Sequence, residues 1–138
     1  MLLPQTAEYA MRAVLHIAAF EQGRSVRVDE TADALGIPRN YLSKTLHQLA
    51  RAGILTSARG PLGGFRLAIA ADELTLARIV STFVVSTERR CLLGKGLCGD
   101  SPACAVHERW APIAKQMRDF FGDTTGADLL AVTSSTLS

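Results

Sequence analysis

Long hydrophobic runs are missing from this chain, and no apolar stretch approaches the roughly 18 residues needed to span a bilayer. The opening residues, MLLPQTAEYA, lack a basic flank before an apolar run, so we expect no secretory signal and a cytoplasmic location. Cysteine is scarce: there are three, and an odd number fits a framework of paired disulfides poorly. Thiols also stay reduced in the cytoplasm, so these cysteines are expected to be free for other chemistry.

Acidic residues are absent between Ala34 and Ala71. This stretch carries five positive charges, which leaves −3 for the rest of a chain whose total is +2; they are Arg39, Lys44, Arg51, Arg59 and Arg66. A concentrated basic face is what a polyanionic partner requires. The length of 138 residues and the 48% hydrophobic content indicate one globular domain with a real core.

The first part of the chain predicts a helix-turn-helix. A first helix is expected over residues 6–20, with Thr6 as its cap, and a short extended link follows at Ser25–Val28. Two further helices are predicted: Glu30–Leu35, capped by Asp29 and ended by Gly36, and Arg39–Ala52, opened by Pro38 and stopped by Gly53. Two short helices joined by a tight glycine-containing turn form this motif.

The second helix of this motif is amphipathic. Its leucines share one face, and the opposite face carries no acid; that face holds Arg39, Asn40, Ser43, Lys44 and His47. An ordinary solvated helix would show the same pattern. Two predicted strands, Ile54–Ala58 and Phe65–Ala68, favour DNA binding instead, because a hairpin placed here is a wing. An arginine at its tip, Arg59, suits the electronegative minor groove.

The second part of the chain predicts two helices around a loop. Thr75 is expected to cap a helix over Leu76–Val84. A long helix is expected from Cys104 to Phe121, ending at Gly122, with a coiled-coil-like seam of Val106, Trp110, Ile113, Met117 and Phe120. The seam indicates pairing with a second copy, although packing on the domain's own core would give the same spacing. Residues 124–138 are expected to fray.

All three cysteines lie in the loop, with the spacing Cys91-x6-Cys98-x5-Cys104-x2-His107. Thiolates suit iron–sulfur clusters and zinc, and four protein ligands are usual. His107 lies one helical turn after Cys104 and can reach the same centre, although a partly exposed helix residue is the plainer interpretation. Zinc is less favoured because close cysteine pairs are absent. Sensing by bare thiols is the third alternative.

The sequence resembles the Rrf-two family of winged-helix transcription regulators from about Thr6 to Phe121. The most specific piece is RGPLGGFRL, residues 59–67, which is similar to the family's wing, Arg-Gly-Pro-Gly-Gly-Gly-Tyr followed by Arg or Leu. Here Leu62 replaces a glycine. The segments NYLSK, residues 40–44, and LARAGIL, residues 49–55, also resemble the family's recognition helix and its exit into the wing.

The resemblance implies a site as well as a fold. Cluster-binding members, among them the iron–sulfur assembly regulator and the nitric-oxide-sensing repressor, carry three cysteines at this position, so Cys91, Cys98 and Cys104 would be iron ligands. The first gap is six residues where such members often have five. His107 occupies the fourth-ligand position of the assembly regulator, and Glu8 the position of a carboxylate that other members supply from the partner subunit. A solvated carboxylate in the first turn of a helix is the alternative for Glu8.

We therefore expect a mainly α protein with a small β-hairpin: a winged helix-turn-helix over 1–84, a cysteine cluster loop over 85–104, a dimerisation helix over 104–121 and a tail over 122–138, in one domain. The expected function is a homodimeric repressor that binds double-stranded DNA, carries a 2Fe-2S or 4Fe-4S cluster, and is neither an enzyme nor a membrane protein. The predicted DNA-binding residues are Arg39, Asn40, Ser43, Lys44, Arg51, Arg59, Gly60 and Arg66. A small electron-transfer protein is the competing class, but it has no need of an acid-free wing.

Overall fold

The computed structural model of the chain describes residues 3–20, 24–60, 63–84 and 107–137. Within these ranges the chain is mainly helical, with one antiparallel hairpin, as predicted. The elements in chain order are α1 (Gln5–Ala18), α2 (Val28–Leu35), α3 (Arg39–Arg51), β1 (Leu55–Ala58), β2 (Gly64–Leu67), α4 (Leu76–Val80), α5 (His107–Asp123) and α6 (Gly126–Leu137). None of the described helices is both long and apolar enough to cross a membrane.

Helix α1 lies at the centre of the core. Its buried side chains recur at helical spacing, and Ala10, Val14 and Ile17 are almost fully enclosed. The prediction that Thr6 caps this helix is wrong, because α1 begins at Gln5 after Pro4 and the Pro4 carbonyl accepts the first bonds. Thr6 therefore lies inside the first turn, where its hydroxyl pairs with the Tyr41 hydroxyl of α3.

Helices α2 and α3 form the predicted helix-turn-helix. Gly36 ends α2 with φ +67°, a left-handed conformation that glycine adopts without strain. Helix α3 begins at Arg39 directly after Pro38, as expected, and buries Leu42, Leu46 and Leu49 completely. The prediction that Asp29 caps α2 is wrong: α2 begins at Val28, two residues before the predicted start at Glu30, and Asp29 pairs with Arg39 instead.

The hairpin confirms the predicted wing: β1 begins one residue later than expected, and β2 is shifted one residue toward the N-terminus. Leu55 pairs with Leu67 and Ala58 with Gly64. The link before α2 joins the hairpin, since Val26 and Phe65 exchange backbone hydrogen bonds of 2.8 Å in both directions. Gly64 is required at this junction, because a Cβ there would lie 2.5 Å from the Val26 carbonyl oxygen. The wing is thus fixed to the entry of the helix-turn-helix.

Helix α4 is capped by Thr75 as predicted, with the Thr75 hydroxyl accepting from the Arg78 amide at 3.2 Å. The helix is shorter than expected, because it ends at Val80 and continues as turns to Val84. Helix α5 runs one residue beyond the expected stop, through Gly122 to Asp123. Gly122 does not adopt a positive φ, so it does not end the helix.

The expectation of a frayed tail is wrong, because residues 126–137 form α6. Thr125 and Asp128 cap it reciprocally: the Asp128 carboxylate accepts from the Thr125 amide at 3.0 Å, and the Thr125 hydroxyl accepts from the Asp128 amide at 3.2 Å. Two backbone hydrogen bonds connect the start of α6 to the start of α4: the Leu76 amide donates to the Thr124 carbonyl, and the Gly126 amide donates to the Leu74 carbonyl. Helix α6 also packs against α1, with Leu129 half-buried beside the core.

Candidate nucleic-acid interface

Helix α3 presents its polar face to solvent, because its leucines anchor the other face in the core. Of the residues predicted to bind DNA, Ser43 is half-buried and the other three at the start of α3 are exposed; these are Arg39, Asn40 and Lys44. Arg51, at the last turn, is also exposed. The structure therefore brings the predicted side chains of α3 onto one accessible surface.

Contacts of Tyr41 hold the start of α3 against α1. The Tyr41 ring meets the Tyr9 ring edge-on, with centroids 5.4 Å apart, and its hydroxyl pairs with Thr6. Thr45, one turn later, is 1% exposed and donates its hydroxyl to the Tyr41 carbonyl at 3.1 Å. The orientation of α3 is therefore fixed both by the contacts of its first turn with α1 and by the burial of its leucines in the core.

The wing adds a second set of cations. Arg59 and Arg66 are exposed, and Gly60 has φ +98°, so the chain reverses there in a conformation that favours glycine. The Gly63 amide donates a hydrogen bond of 2.9 Å to the Gly60 carbonyl oxygen. A Cβ on Gly63 would lie 2.5 Å from the Ala58 carbonyl oxygen, which makes this glycine necessary too. Leu62, the departure from the family's wing, lies outside the described residues.

A groove of about 350 Å³ separates α3 from the wing. Phe65 and the glycines of the hairpin line the groove, together with five charged or titratable side chains: Arg27, Asp29, Arg39, His47 and Arg59. Asp29 is the acidic residue in this lining. A second, open depression of about 340 Å³ follows α3 and is lined by Ser43, Lys44, His47, Gln48 and Arg51. His47 therefore borders both depressions.

Sequence reasoning placed His47 on the polar face but assigned it no role. Its Nδ1 donates to the Ser43 carbonyl oxygen at 2.7 Å, and its ring meets the Phe65 ring edge-on with centroids 5.2 Å apart. Because a carbonyl oxygen can only accept, Nδ1 carries the proton in the bond to Ser43, and Nε2 is the remaining ring nitrogen. The contact with Phe65 depends on the packing of the hairpin on α3, so the sequence held no signal for it.

The predicted metal ligands fall largely beyond what the structure describes. Cys91, Cys98 and Cys104 lie outside the described residues, and His107 is described only as the first residue of α5. Glu8 is exposed in the first turn of α1. Among the residues that the structure describes, no three histidine, cysteine or acidic side chains converge on a common point.

A helix-turn-helix followed by a hairpin defines a winged-helix protein. Here Arg59 of the hairpin and Arg39 of α3 line the same groove. The family described as Rrf2, Iron-dependent Transcriptional regulator, matches residues 3–132 of the chain. The chain therefore belongs to the Rrf2 family of transcriptional regulators, as the resemblance of its wing and recognition helix predicted.

Relatives and solved structures agree with this assignment. The chain is 36% identical to a protein of Aquifex aeolicus (strain VF5) named as a putative HTH-type transcriptional regulator, over 96% of the chain and 93% of that protein. It is 28% identical to the HTH-type transcriptional regulator IscR of Vibrio campbellii, over 94% and 77%. The fold is similar to that of CymR, the global cysteine regulator of B. subtilis, with a TM-score of 0.79, 21% identity and coverage of 96% and 98%. It is likewise similar to T. potens IscR, with a TM-score of 0.79, 19% identity and coverage of 100% and 92%.

Proposed function

We propose that the protein is a homodimeric repressor that binds double-stranded DNA and is controlled by an iron–sulfur cluster held in its cysteine loop. The observation that carries the DNA-binding part is the set of exposed cations on α3 and the wing, which come from a stretch of the chain without acidic residues. Arg39 of α3 and Arg59 of the wing line the same groove. Arg39, Asn40, Ser43 and Lys44 are the candidates for base contacts, because they share the exposed start of α3. Arg51, Arg59 and Arg66 then neutralise phosphates, with Gly60 allowing close approach of the wing.

The proposed dimer rests on α5. Ile113 and Phe120 are 48% and 52% exposed, although both are large apolar side chains on the predicted seam. Ala114, on another face of the helix, is 8% exposed and supplies packing against the subunit's own core. The exposure of Ile113 and Phe120 supports a second copy as the occupant of that side of the seam. Trp110 and Met117, on the side of the seam next to Ala114, are half-buried and also serve the subunit's own packing.

The donor set fits an iron–sulfur cluster by its chemistry. Cys91, Cys98 and Cys104 would supply three thiolates, and His107 the fourth ligand, with Glu8 of a partner subunit as the alternative. A bound cluster would supply a centre that reacts with nitric oxide, oxidants or changes in iron–sulfur supply. The exposure of Glu8 and the position of His107 at the start of α5 are compatible with either choice.

The coupling to DNA follows from the order of the chain. The segment with the three cysteines precedes α5 in the sequence, and α5 packs against α4 and exposes Ile113 and Phe120. A rearrangement of that segment would change how two subunits sit together, and therefore the spacing of two recognition helices that must match two half-sites. Such control requires that the signal favour one pose over another.

A regulator that senses through its thiols, without a cluster, is the second candidate. It is favoured by the likeness to CymR, whose solved structures include an oxidized form from Staphylococcus aureus with a TM-score of 0.73 and 22% identity. Both candidates use the same three cysteines.

Two measurements on the full-length protein test the proposal. Binding to mixed duplex DNA should be detectable at low salt and should weaken steeply as salt is raised, because phosphate contacts release counterions. Anaerobic purification followed by an absorption spectrum and an iron and sulfide count separates the two candidates. Stoichiometric iron and sulfide support the cluster, whereas their absence with reversible thiol oxidation that changes DNA affinity supports thiol sensing. Absence of binding to any duplex at low salt would overturn the DNA-binding proposal.

A further inference from the structure

The groove beside the wing contains one feature that a simple phosphate-binding surface does not explain. Asp29 lies among its cations, on the first turn of α2, and its carboxylate accepts a hydrogen bond from Arg39 at the start of α3. A carboxylate at a phosphate-binding surface repels the ligand. Its pairing with the first residue of the recognition helix indicates another role.

The contact uses one particular nitrogen of Arg39. The bond to Asp29 Oδ1 comes from Nε, and the terminal amino groups of Arg39 donate no hydrogen bond to any residue that the structure describes. A guanidinium held through Nε keeps both terminal groups in one plane as a fork. The fork matches the O6 and N7 acceptors of guanine in the major groove, the commonest specific arginine contact in DNA recognition.

The pair has little value for folding. The Arg39 and Asp29 side chains are 61% and 54% exposed, and ion pairs that open to water contribute little to stability. Docking against DNA would exclude water from the groove, which strengthens the attraction between the two charges. The pair is therefore best suited to orient Arg39 in the bound state. The negative charge of Asp29 also weakens the attraction between Arg39 and phosphates.

We propose that Asp29 is a positioning residue that holds Arg39 for direct reading of a guanine edge, so that this pair sets base specificity and contributes little to phosphate neutralisation. The inference rests on the proposed DNA-binding function and narrows it, because it assigns Arg39, one of the four candidates for base contacts, to a guanine edge. It applies at the point where the start of α3 enters the major groove.

The test measures guanine preference with matched variants. Duplexes are selected from a random-sequence library with the wild-type protein, and each enriched guanine is then replaced singly by adenine or by 7-deazaguanine, which lacks the N7 acceptor. At one such position, replacing guanine by adenine should lower the affinity of the wild-type protein roughly 5- to 150-fold. Arg39→Ala and Arg39→Lys should lose that preference, because a lysine keeps the charge but lacks the fork.

Asp29→Asn should reduce the same preference severalfold while leaving or raising affinity for unselected DNA. Glu30→Gln is the matched control: it removes one carboxylate from the next residue of α2, whose partner is Arg24 at 3.3 Å and which does not line the groove. Glu30→Gln should therefore keep the wild-type guanine preference. Thermal melts of all variants check that these exposed substitutions leave the fold intact.

The outcomes separate this inference from the proposed function. If wild type binds no duplex, the DNA-binding proposal fails before Asp29 is considered. If wild type binds but Arg39→Ala retains every guanine preference, or Asp29→Asn and Glu30→Gln change it equally, Asp29 is only a surface charge and the inference is wrong. A fall in the salt slope of about one unit for Arg39→Ala, with unchanged base preference, would assign Arg39 to a phosphate instead.

Discussion

Arg78 on α4 donates from Nη2 to the carbonyl oxygen of Ala52, which caps the C-terminal end of α3, at 2.7 Å. The last carbonyls of a helix have no partner within it, so a cation placed there is doubly favourable. The backbone amide of Leu76, at the beginning of α4, donates a hydrogen bond to the carbonyl oxygen of Thr124, which lies between α5 and α6. Helix α4 therefore connects the end of the recognition helix to the part of the chain that follows the cysteine loop.

Removing this connection should affect both stability and DNA binding. We expect Arg78→Ala to lower the free energy of unfolding by about 1 kcal/mol, because it deletes a hydrogen bond from a charged donor to a helix end. DNA affinity should fall as well, since the exit of α3 into the wing is held less firmly. Lys115→Ala, which removes an exposed cation from α5, is the control for charge and should leave stability nearly unchanged. Equal effects of the two variants in urea melts would show that the Ala52 contact does not matter.

The wing supplies a second prediction. Arg59→Ala should weaken DNA binding and reduce the dependence of log affinity on log salt by about one unit for each phosphate that Arg59 neutralises. The reason is that Arg59 is exposed at the hairpin tip on the same groove as α3. Arg24→Ala, an exposed arginine paired with Glu30, is the control. An unchanged affinity and slope in Arg59→Ala would mean that the hairpin is not a DNA element.

The exposed seam residues of α5, Ile113 and Phe120, predict a dimer. Ile113→Glu would bury a charge in the proposed interface and should convert a dimer to a monomer, as measured by sedimentation. Lys115→Glu places a glutamate at an exposed position on a different face of the same helix, away from Ile113 and Phe120, and should remain dimeric. A dimeric Ile113→Glu protein would place the interface elsewhere.

The fourth ligand of the proposed cluster decides whether the sensor is local to one subunit or shared by two. We expect His107, because only two residues separate it from Cys104 in the sequence and imidazole suits iron. His107→Ala purified anaerobically should lose or alter the cluster, whereas Glu8→Ala should keep the parent's iron, sulfide and spectrum. The reverse result would support a ligand from the partner subunit. If neither variant differs from the parent, neither residue is the ligand.

His16 predicts a pH dependence of stability. Burial against Phe20 lowers the pKa of His16 below its ordinary value of 6.5, and Glu30 opposes this only in part. Below pH 6.5 the unfolded chain therefore takes up a proton more readily than the folded protein does, so stability should fall as the pH decreases through this range. Its Nδ1 is buried without a hydrogen-bond partner among the described residues, which also disfavours the charged form. His16→Gln should flatten this part of the profile in urea melts between about pH 5 and about pH 7.5, a range that brackets the pKa of an ordinary histidine. An unchanged profile would assign the dependence to other groups.

Local signals account for the part of the fold that the sequence predicted. The leucine face of α3, Gly36 in the turn and Thr75 before α4 each act through neighbours a few residues away, so their effects are visible in the sequence. The helix boundaries were less accurate, because the pattern favoured Thr6 and Asp29 as caps. Both residues instead have partners on α3, and no local pattern records such a contact.

The sequence by itself determined the class of this protein, through the acid-free stretch, the helix-turn-helix pattern and the wing motif, together with three cysteines within 14 residues, 91–104. Only the tertiary structure decided that the last residues form α6, because that helix depends on docking against α1 as well as on its own cap. It also decided that Asp29 holds Arg39 and that His47 meets Phe65. Pairs like these are set by how α2, α3 and the hairpin cross, and the crossing is fixed by the packing of the whole core.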